Sequence, residues 1–249
     1  LLLNGSDNGR NPTAELDGQP LFDDELIVPG SAAYMNNDYE HRDATFEEIL
    51  HLVHDTGIGV DGENSYPGML PLYQAEIRTA MENAIENNFQ IWPMTAAYDK
   101  DDAQWFRELE DENSLTQEYL VAVVDSYYGQ WAAFEENDGG MWGLYIAKTR
   151  TDIQTNDPQG WALMQQFFSP YLTFVTVIDS EFDGTFSMTF NPAEAYTYKS
   201  QYLLHASLSG SNNANLTGNE QNNRLAGNEG DNIIDGLAGE DTVFYPNRK

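Results

Sequence analysis

The sequence predicts an α+β fold in which a helix-rich body with a small sheet is followed by a short parallel β-roll of nonapeptide repeats. Two observations predict this division. Up to about residue 204, the apolar residues recur mainly at helical spacing, with a few short β-branched runs between them. From about residue 209 onward, glycine and an apolar residue instead return every nine residues, which is the kind of period that a stacked parallel sheet produces.

The chain is expected to contain three parts. Residues 1–20 form a polar arm, residues 21–204 a globular body, and residues 205–249 the roll. The boundary is placed where aromatic-rich sequence gives way to Asn, Gly and Ser. All five tryptophans precede it, so the body holds enough apolar surface to bury a core of its own.

The elements of the body follow from periodicity and from end signals. The first helix, at 45–56, is amphipathic, with Thr45 as its cap and Glu48 three residues later to complete a capping box. Further helices are expected at 71–88, 101–112, 114–128 and 158–168. Strands are expected at 21–28, 172–178 and 185–190, the last two joined as a hairpin by Asp183-Gly184.

Three consecutive nonapeptides, 218–226, 227–235 and 236–244, define the first, second and third repeats. Glycine heads each repeat and permits the positive-φ backbone that turns carbonyl oxygens inward. The sixth position of each repeat supplies a side-chain oxygen, from Asn223, Asn232 and Asp241. The eighth position supplies an apolar side chain that stacks on its equivalents, at Leu225, Ile234 and Val243. Hard oxygen ligands of this kind suit Ca²⁺.

This pattern resembles the RTX, or hemolysin-type calcium-binding, repeats of secreted bacterial proteins, whose unit is written G-G-x-G-x-D-x-U-x with U a large apolar residue. An earlier repeat, 209–217, extends the resemblance but has Ala214 at the ligand position. In that family, turns two repeats apart lie on the same side of the roll, which implies that Asn223 faces Asp241 and that Asn232 faces Ala214. The first pairing implies a calcium site that includes the turn residues Gly218, Glu220, Gly236 and Ala238. The alternative is a roll that stacks on asparagine ladders without ions.

Composition and the family resemblance together predict a secreted, extracellular protein. With 41 acidic and 11 basic residues, the chain carries a net charge of −30, which disfavours nucleic acid as a partner and favours divalent cations. The sequence contains no apolar stretch long enough to predict a transmembrane segment. RTX proteins leave the cell by type I secretion through a C-terminal signal, so the abrupt ending predicts that the roll is truncated. We further expect the roll to be disordered in the calcium-poor cytosol and to fold outside the cell.

One face of the first helix carries five potential metal ligands, which are Glu47, Glu48, His51, His54 and Asp55. Glu47 lies one turn before His51 and Asp55 lies one turn after it, so their side chains can converge on one ion. This face resembles the ligand helix of zinc peptidases, although the His-Glu-x-x-His motif is absent from the sequence. The alternatives are a solvated helix face and an acid/base site without metal.

The fourth helix offers further carboxylates for such a site. Residues 119–124 are apolar all round and should be buried, yet Glu118 and Asp125 lie two turns apart on one edge of the same helix. Buried carboxylates need partners, so we expect this edge to approach the histidine face. The predicted ligands of a transition metal such as Zn²⁺ are His51, His54, Glu48, Asp55 and Glu118. The candidate catalytic residues are Glu48 and Asp125. In the alternative interpretation, Glu118 only stabilises the helix dipole.

Two functions follow from these patterns. The first is a secreted calcium-binding RTX-type protein that acts outside the cell as a structural, matrix, surface or adhesive module. Its partners would be divalent cations, an extracellular matrix or surface, or further copies of the chain. The second is a secreted, peptidase-like metal-dependent hydrolase whose metal lies between the first and fourth helices. The sequence leaves open whether the chain is an enzyme.

Overall fold

The computed structural model describes residues 2–4, 19–22, 25–36, 43–60, 67–86, 90–94, 100–132, 139–191, 193–194 and 197–245. The chain divides into two compact bodies. The helical domain consists of Leu1–Glu25 and Ala44–Phe168, and the repeat domain consists of Leu26–Asp43 and Ser169–Lys249. The expected boundary at residue 204 therefore differs from the division at residue 168, because the strands at 172–178 and 185–187 belong to the same sheets as the repeats. Most of the expected arm at 1–20 lies outside the described residues.

The described helices, in chain order, are α1 (Ala32–Met35), α2 (Thr45–Val53), α3 (Pro71–Glu86), α4 (Lys100–Glu112), α5 (Leu115–Tyr127), α6 (Arg150–Asn156), α7 (Pro158–Phe167) and α8 (Thr197–Ser200). The five predicted helices correspond to α2, α3, α4, α5 and α7. Helices α1, α6 and α8 are not among the predicted helices, although Thr149 and Asp152 form a capping box at the start of α6. None of the described helices has the length and apolar character that crossing a membrane requires.

The first predicted helix begins and ends differently from the prediction. Ala44 occupies the N-cap position with a φ of −81° and a ψ of 0°, so Thr45 lies inside the first turn and the predicted cap at Thr45 is wrong. After Val53, the chain continues as a π-helix from His54 to Gly59. A π-helix holds more residues per turn than an α-helix. Side chains from His54 onward therefore leave the face that α-helical spacing assigns to them.

The centre of the helical domain is α5, which is buried on nearly all sides as its sequence predicts. Leu120, Val121, Ala122 and Val123 are each at most 1 % exposed. Helices α2, α3, α6 and α7 pack around it. The domain also contains a parallel pair of strands, β1 (Leu2–Asn4) and β2 (Pro20–Phe22), so the strand predicted at 21–28 is shorter and begins earlier.

The repeat domain is built from two parallel sheets whose strands alternate along the chain. One sheet contains β3 (Leu172–Ile178), β5 (Leu203–Leu208), β7 (Arg224–Ala226) and β9 (Thr242–Phe244), in that order. The other contains β4 (Thr185–Ser187), β6 (Asn215–Thr217) and β8 (Ile234–Asp235). The predicted hairpin at Asp183-Gly184 is wrong, because β3 and β4 lie in different sheets and each pairs in parallel with a strand about 30 residues later.

The apolar column predicted at the eighth repeat position forms where neighbouring strands cover it. Leu216 and Leu225 are at most 1 % exposed, whereas Val243 on the outermost strand is 45 % exposed.

A buried ion pair links the N-terminal segment of this domain, 26–43, to α8. Lys199 Nζ and Asp43 Oδ2 lie 2.9 Å apart. The repeat domain thus combines a thin apolar column with specific polar contacts.

Candidate metal sites

The histidine face of α2 meets the first turn of α5. His51 Nε2 lies 3.5 Å from Glu118 Oε1, and His51 is only 8 % exposed. Glu47, one helical turn before His51, completes a group of three ligand atoms that all lie within 4.8 Å of one another. The approach of α2 and α5 that the sequence predicts is therefore present, and it brings together Glu47, His51 and Glu118.

The other predicted ligands lie elsewhere among the described residues. Glu48 accepts a hydrogen bond from Gln19 Nε2. His54 is completely buried, and its Nε2 lies 2.6 Å from Gln74 Oε1. Asp55 lies in the π-helix, and the candidate catalytic Asp125 is 2 % exposed in the last half of α5. None of these four belongs to the group of three ligand atoms found among the described residues.

Glu47 is the functional candidate that the predicted ligand set omits. The signal for it is present in the sequence, since Glu47 and His51 are one α-helical turn apart on one face. Asp55 has the same spacing on the other side of His51, but the change to a π-helix at His54 alters the direction of its side chain. Spacing alone could not distinguish the two acids.

The donor set of Glu47, His51 and Glu118 fits a transition metal. One imidazole nitrogen and two carboxylates are ligands that Zn²⁺ accepts at about 2.0–2.2 Å, with a fourth position left for water. Two ligand atoms at that distance from a tetrahedral ion are about 3.4 Å apart. The 3.5 Å between His51 Nε2 and Glu118 Oε1 is close to that separation.

The repeat turns stack on one another at an offset of two repeats. The backbone N–H of Asn223 donates to Asp241 Oδ1 at 2.8 Å, and the N–H of Asp231 donates to Asn213 Oδ1 at 3.0 Å. Turn 218–223 therefore adjoins turn 236–241, and turn 209–214 adjoins turn 227–232. These are the neighbours that the family resemblance implies. Asn232 accordingly faces Ala214, and its Nδ2 donates to the Ala214 carbonyl at 2.8 Å.

Oxygen atoms converge where glycine heads the first and third repeats. A side chain at Gly218 would collide with Asn223 Oδ1 and would also come within 2.7 Å of the Gly236 carbonyl oxygen. A side chain at Gly236 would collide with the carboxylate of Asp241. Gly227 has the same relation to Asn232 Oδ1, but of the three glycines only Gly218 also has a backbone carbonyl oxygen among the nearest atoms. Backbone and side-chain oxygens of this kind are ligands that suit a calcium ion. The turn residues Glu220 and Ala238 are exposed.

Comparison with known proteins gives a result for the repeats and none for the rest of the chain. No curated protein and no solved structure matches the sequence. The family model of the RTX calcium-binding nonapeptide repeat matches residues 209–244 in four copies. The match begins at the repeat that carries Ala214 and ends at the last strand, β9. The segment 209–244 therefore consists of four RTX calcium-binding nonapeptide repeats.

Proposed function

We propose that this chain is a secreted calcium-binding protein that acts outside the cell as a structural, matrix, surface or adhesive module. The observation that carries the proposal is the set of four RTX repeats at 209–244. The net charge of −30 supports it, because a strongly acidic surface gains from divalent counter-ions and repels nucleic acid. Type I secretion belongs to the same proposal.

The proposed calcium site lies between turns 218–223 and 236–241. Asp241 and Asn223 provide side-chain oxygens. Backbone carbonyl oxygens come from the turn residues Gly218, Glu220, Gly236 and Ala238. Asp241 is the single carboxylate at the sixth position of the three repeats, so it supplies the charge that Ca²⁺ requires. The convergence of oxygens beside Gly218 and Gly236 supports this choice.

Calorimetric titration with calcium tests the site. Replacement Asp241→Asn keeps the size of the side chain but removes its charge, and it should abolish calcium binding. The matched control is Asp231→Asn, which removes the same charge from an exposed position in the neighbouring turn. Calcium binding that survives Asp241→Asn, or that both variants lose equally, contradicts the assignment.

An extracellular structural or adhesive role adds a second requirement. The protein should form larger assemblies, or bind an extracellular surface, in millimolar calcium and should dissociate in EDTA. Sedimentation velocity in both conditions measures assembly, and the Asp241→Asn variant provides the calcium-blind control. Identical sedimentation and identical surface binding in calcium and EDTA count against a structural or adhesive role.

The second candidate function is a secreted, peptidase-like metal-dependent hydrolase, and the group of Glu47, His51 and Glu118 favours it. A zinc ion held there would polarise a carbonyl group and lower the pKa of a bound water. Glu48 and Asp125 remain the candidate acid/base residues, although neither belongs to the ligand group. The partly buried position of His51 and Glu118 would limit the exchange of a bound ion with solvent.

Metal analysis separates the two candidates. After treatment with EDTA and exchange into zinc-containing buffer, the purified chain should retain about one zinc ion under the hydrolase proposal. Glu118→Gln should lose that ion, whereas the control Glu110→Gln, on the exposed face of α4, should keep it. Zinc retention that is unaffected by Glu118→Gln, or no retention at all, removes the hydrolase.

A further inference from the structure

Asn219 and Asn223 of the first repeat form a bracket of side-chain amides. Asn219 Nδ2 donates to the carbonyl oxygens of Ser200 at 3.2 Å and Leu203 at 2.9 Å. Its Oδ1 accepts from Asn223 Nδ2 at 2.9 Å and from the backbone N–H of Gln221 at 3.0 Å. The bracket therefore ties turn 218–223 to the segment that lies two repeats before it.

Asn228 and Asn232 of the second repeat make the same bracket nine residues later. Asn228 Nδ2 donates to the carbonyl oxygens of Ser209 at 2.9 Å and Asn212 at 3.1 Å. Its Oδ1 accepts from Asn232 Nδ2 at 2.7 Å and from the N–H of Gly230 at 3.0 Å. In both repeats the carbonyl acceptors lie 19 and 16 residues before the asparagine. This repetition shows that the bracket is a property of the sequence pattern.

The brackets replace the chemistry of a bound cation. A calcium ion between two turns would be held by carbonyl and carboxylate oxygens that point toward it. In the brackets, the carbonyl oxygens of the earlier turn instead accept hydrogen bonds from asparagine side-chain N–H groups. These hydrogen bonds satisfy the carbonyl oxygens without an ion. Asn219, Asn223 and Asn228 are each at most 5 % exposed, so these bonds are shielded from water. Donor groups at this position leave a cation without ligands.

The third repeat has no asparagine at either of the two positions that form the bracket in the earlier repeats. Leu237 stands where Asn219 and Asn228 stand in the earlier repeats, and its hydrocarbon side chain has no group that can donate a hydrogen bond. Asp241 stands where Asn223 and Asn232 stand, and an ionised carboxylate only accepts. The backbone positions 19 and 16 residues before Leu237 are Gly218 and Gln221. Among the three repeats, the third alone therefore has a carboxylate at the sixth position and no side-chain amide donor at either bracket position.

We infer that asparagine brackets hold two of the three junctions between stacked turns in residues 197–245 without an ion, and that the junction between turns 218–223 and 236–241 alone takes calcium. The assignment of the ion rests on the proposed calcium-binding function. The assignment of the two brackets does not, because it follows from hydrogen bonds that need no metal. The four repeats thus combine a segment that hydrogen bonds hold without an ion with a single calcium-dependent end, which limits the expected calcium-dependent folding to the last junction.

The replacement Asn232→Asp tests the bracket. It removes the Nδ2 donor and places a carboxylate against the Ala214 carbonyl and Asn228 Oδ1. The matched control is Asn213→Asp, because exposed Asn213 acts through Oδ1 as an acceptor for the N–H of Asp231, a role that aspartate retains. Both variants gain the same charge in the same junction. Calorimetric melting of the full chain in EDTA and in millimolar calcium is the measurement.

Asn232→Asp should lower the melting temperature in EDTA by at least about 4 °C more than Asn213→Asp does. Calcium should leave that difference in place, because Asn228 Nδ2 still donates to the Ser209 and Asn212 carbonyl oxygens. Equal melting of the two variants in EDTA contradicts the bracket. If Asn232→Asp does not fold, the number of calcium ions bound by the wild-type chain decides the question. One ion supports the inference, and two or more ions contradict it. Wild-type protein that binds no calcium, together with the expected difference in EDTA, refutes the proposed function and leaves the brackets in place.

Discussion

The helical domain and the repeats satisfy their buried polar groups in two different ways. In the helical domain, the fully buried Asp157 accepts hydrogen bonds from the hydroxyls of Tyr119 at 2.7 Å and Tyr145 at 2.9 Å, and from the N–H of Gly160 at 3.0 Å. In the repeats, buried asparagines make one set of bonds twice, at fixed offsets along the chain. The first arrangement depends on one residue, whereas the second depends on a pattern.

This contrast determines how each region should respond to substitution. Removal of Asp157 leaves several buried donors unsatisfied at once, and each costs its desolvation free energy. Removal of an asparagine from a bracket weakens one junction and leaves the others intact, because each repeat contacts only its neighbours. The helical domain is therefore expected to be sensitive at a few unique positions, and the repeats are expected to tolerate local change.

The largest expected effect is that of Asp157→Ala. Loss of the carboxylate leaves two tyrosine hydroxyls and the N–H of Gly160 without their hydrogen-bond acceptor. The free energy of unfolding should therefore fall by about 4 kcal/mol. Urea denaturation followed by tryptophan fluorescence reports on the helical domain, which contains all five tryptophans. The control Asp111→Ala removes an exposed carboxylate from α4 and should have little effect. Equal effects of the two variants contradict the central role of Asp157.

The next largest effect concerns the apolar column of the repeats. Leu225 is fully buried and Leu237 is 46 % exposed. Leu225→Ala should therefore destabilise the repeat domain by about 3 kcal/mol, and Leu237→Ala should cost about 0.5 kcal/mol or less. Far-ultraviolet circular dichroism of the strands during urea unfolding measures both. A loss at Leu237 that equals the loss at Leu225 contradicts the dependence of stability on burial in this column.

A smaller effect is expected at Tyr34, whose hydroxyl lies 3.2 Å from Ser200 Oγ in the repeat domain. Burial raises the pKa of Tyr34 from 10.0 to about 12, and the hydrogen bond with Ser200 opposes part of that rise. The folded state thus favours the neutral phenol. Its contribution to stability is complete below pH 10 and is lost as the pH rises through 12.

Tyr34→Phe should cost about 1 kcal/mol at neutral pH, through loss of the hydrogen bond. Denaturation at pH 8, 10 and 11.5 should show the difference between wild type and Tyr34→Phe shrinking as the pH rises. A difference that stays constant across this range shows that Tyr34 does not ionise at a different pH in the folded state.

The sequence predicts those parts of the fold that short-range signals determine. The nine-residue period locates the short strands, because each repeat is built like the one before it. The pairing of turn 218–223 with turn 236–241 is what the resemblance to RTX repeats implies. The burial of α5 follows from its uniform apolar composition. The approach of His51 to Glu118 follows from one argument, that a carboxylate on a buried helix needs a partner.

The remaining features depend on contacts between distant residues. After β3 the chain turns at residues 179–182, where the N–H of Phe182 donates to the Asp179 carbonyl oxygen, and β3 and β4 take their partners from β5 and β6 instead of from each other. The π-helix at His54 follows an unbroken α-helical pattern, so the change of face had no local signal. The choice of Glu47 over Glu48 and Asp55 also requires the position of α5.

Hydrogen exchange of the full chain in EDTA and in millimolar calcium tests the central claim most directly. In EDTA, the N–H groups of Gln221 and Gly230, which bond to the brackets, should stay protected. The N–H groups of Glu240 and Thr242, at the junction that carries Asp241, should exchange quickly until calcium is added. Uniform exchange of all four amides in EDTA, with joint protection on adding calcium, would contradict the account.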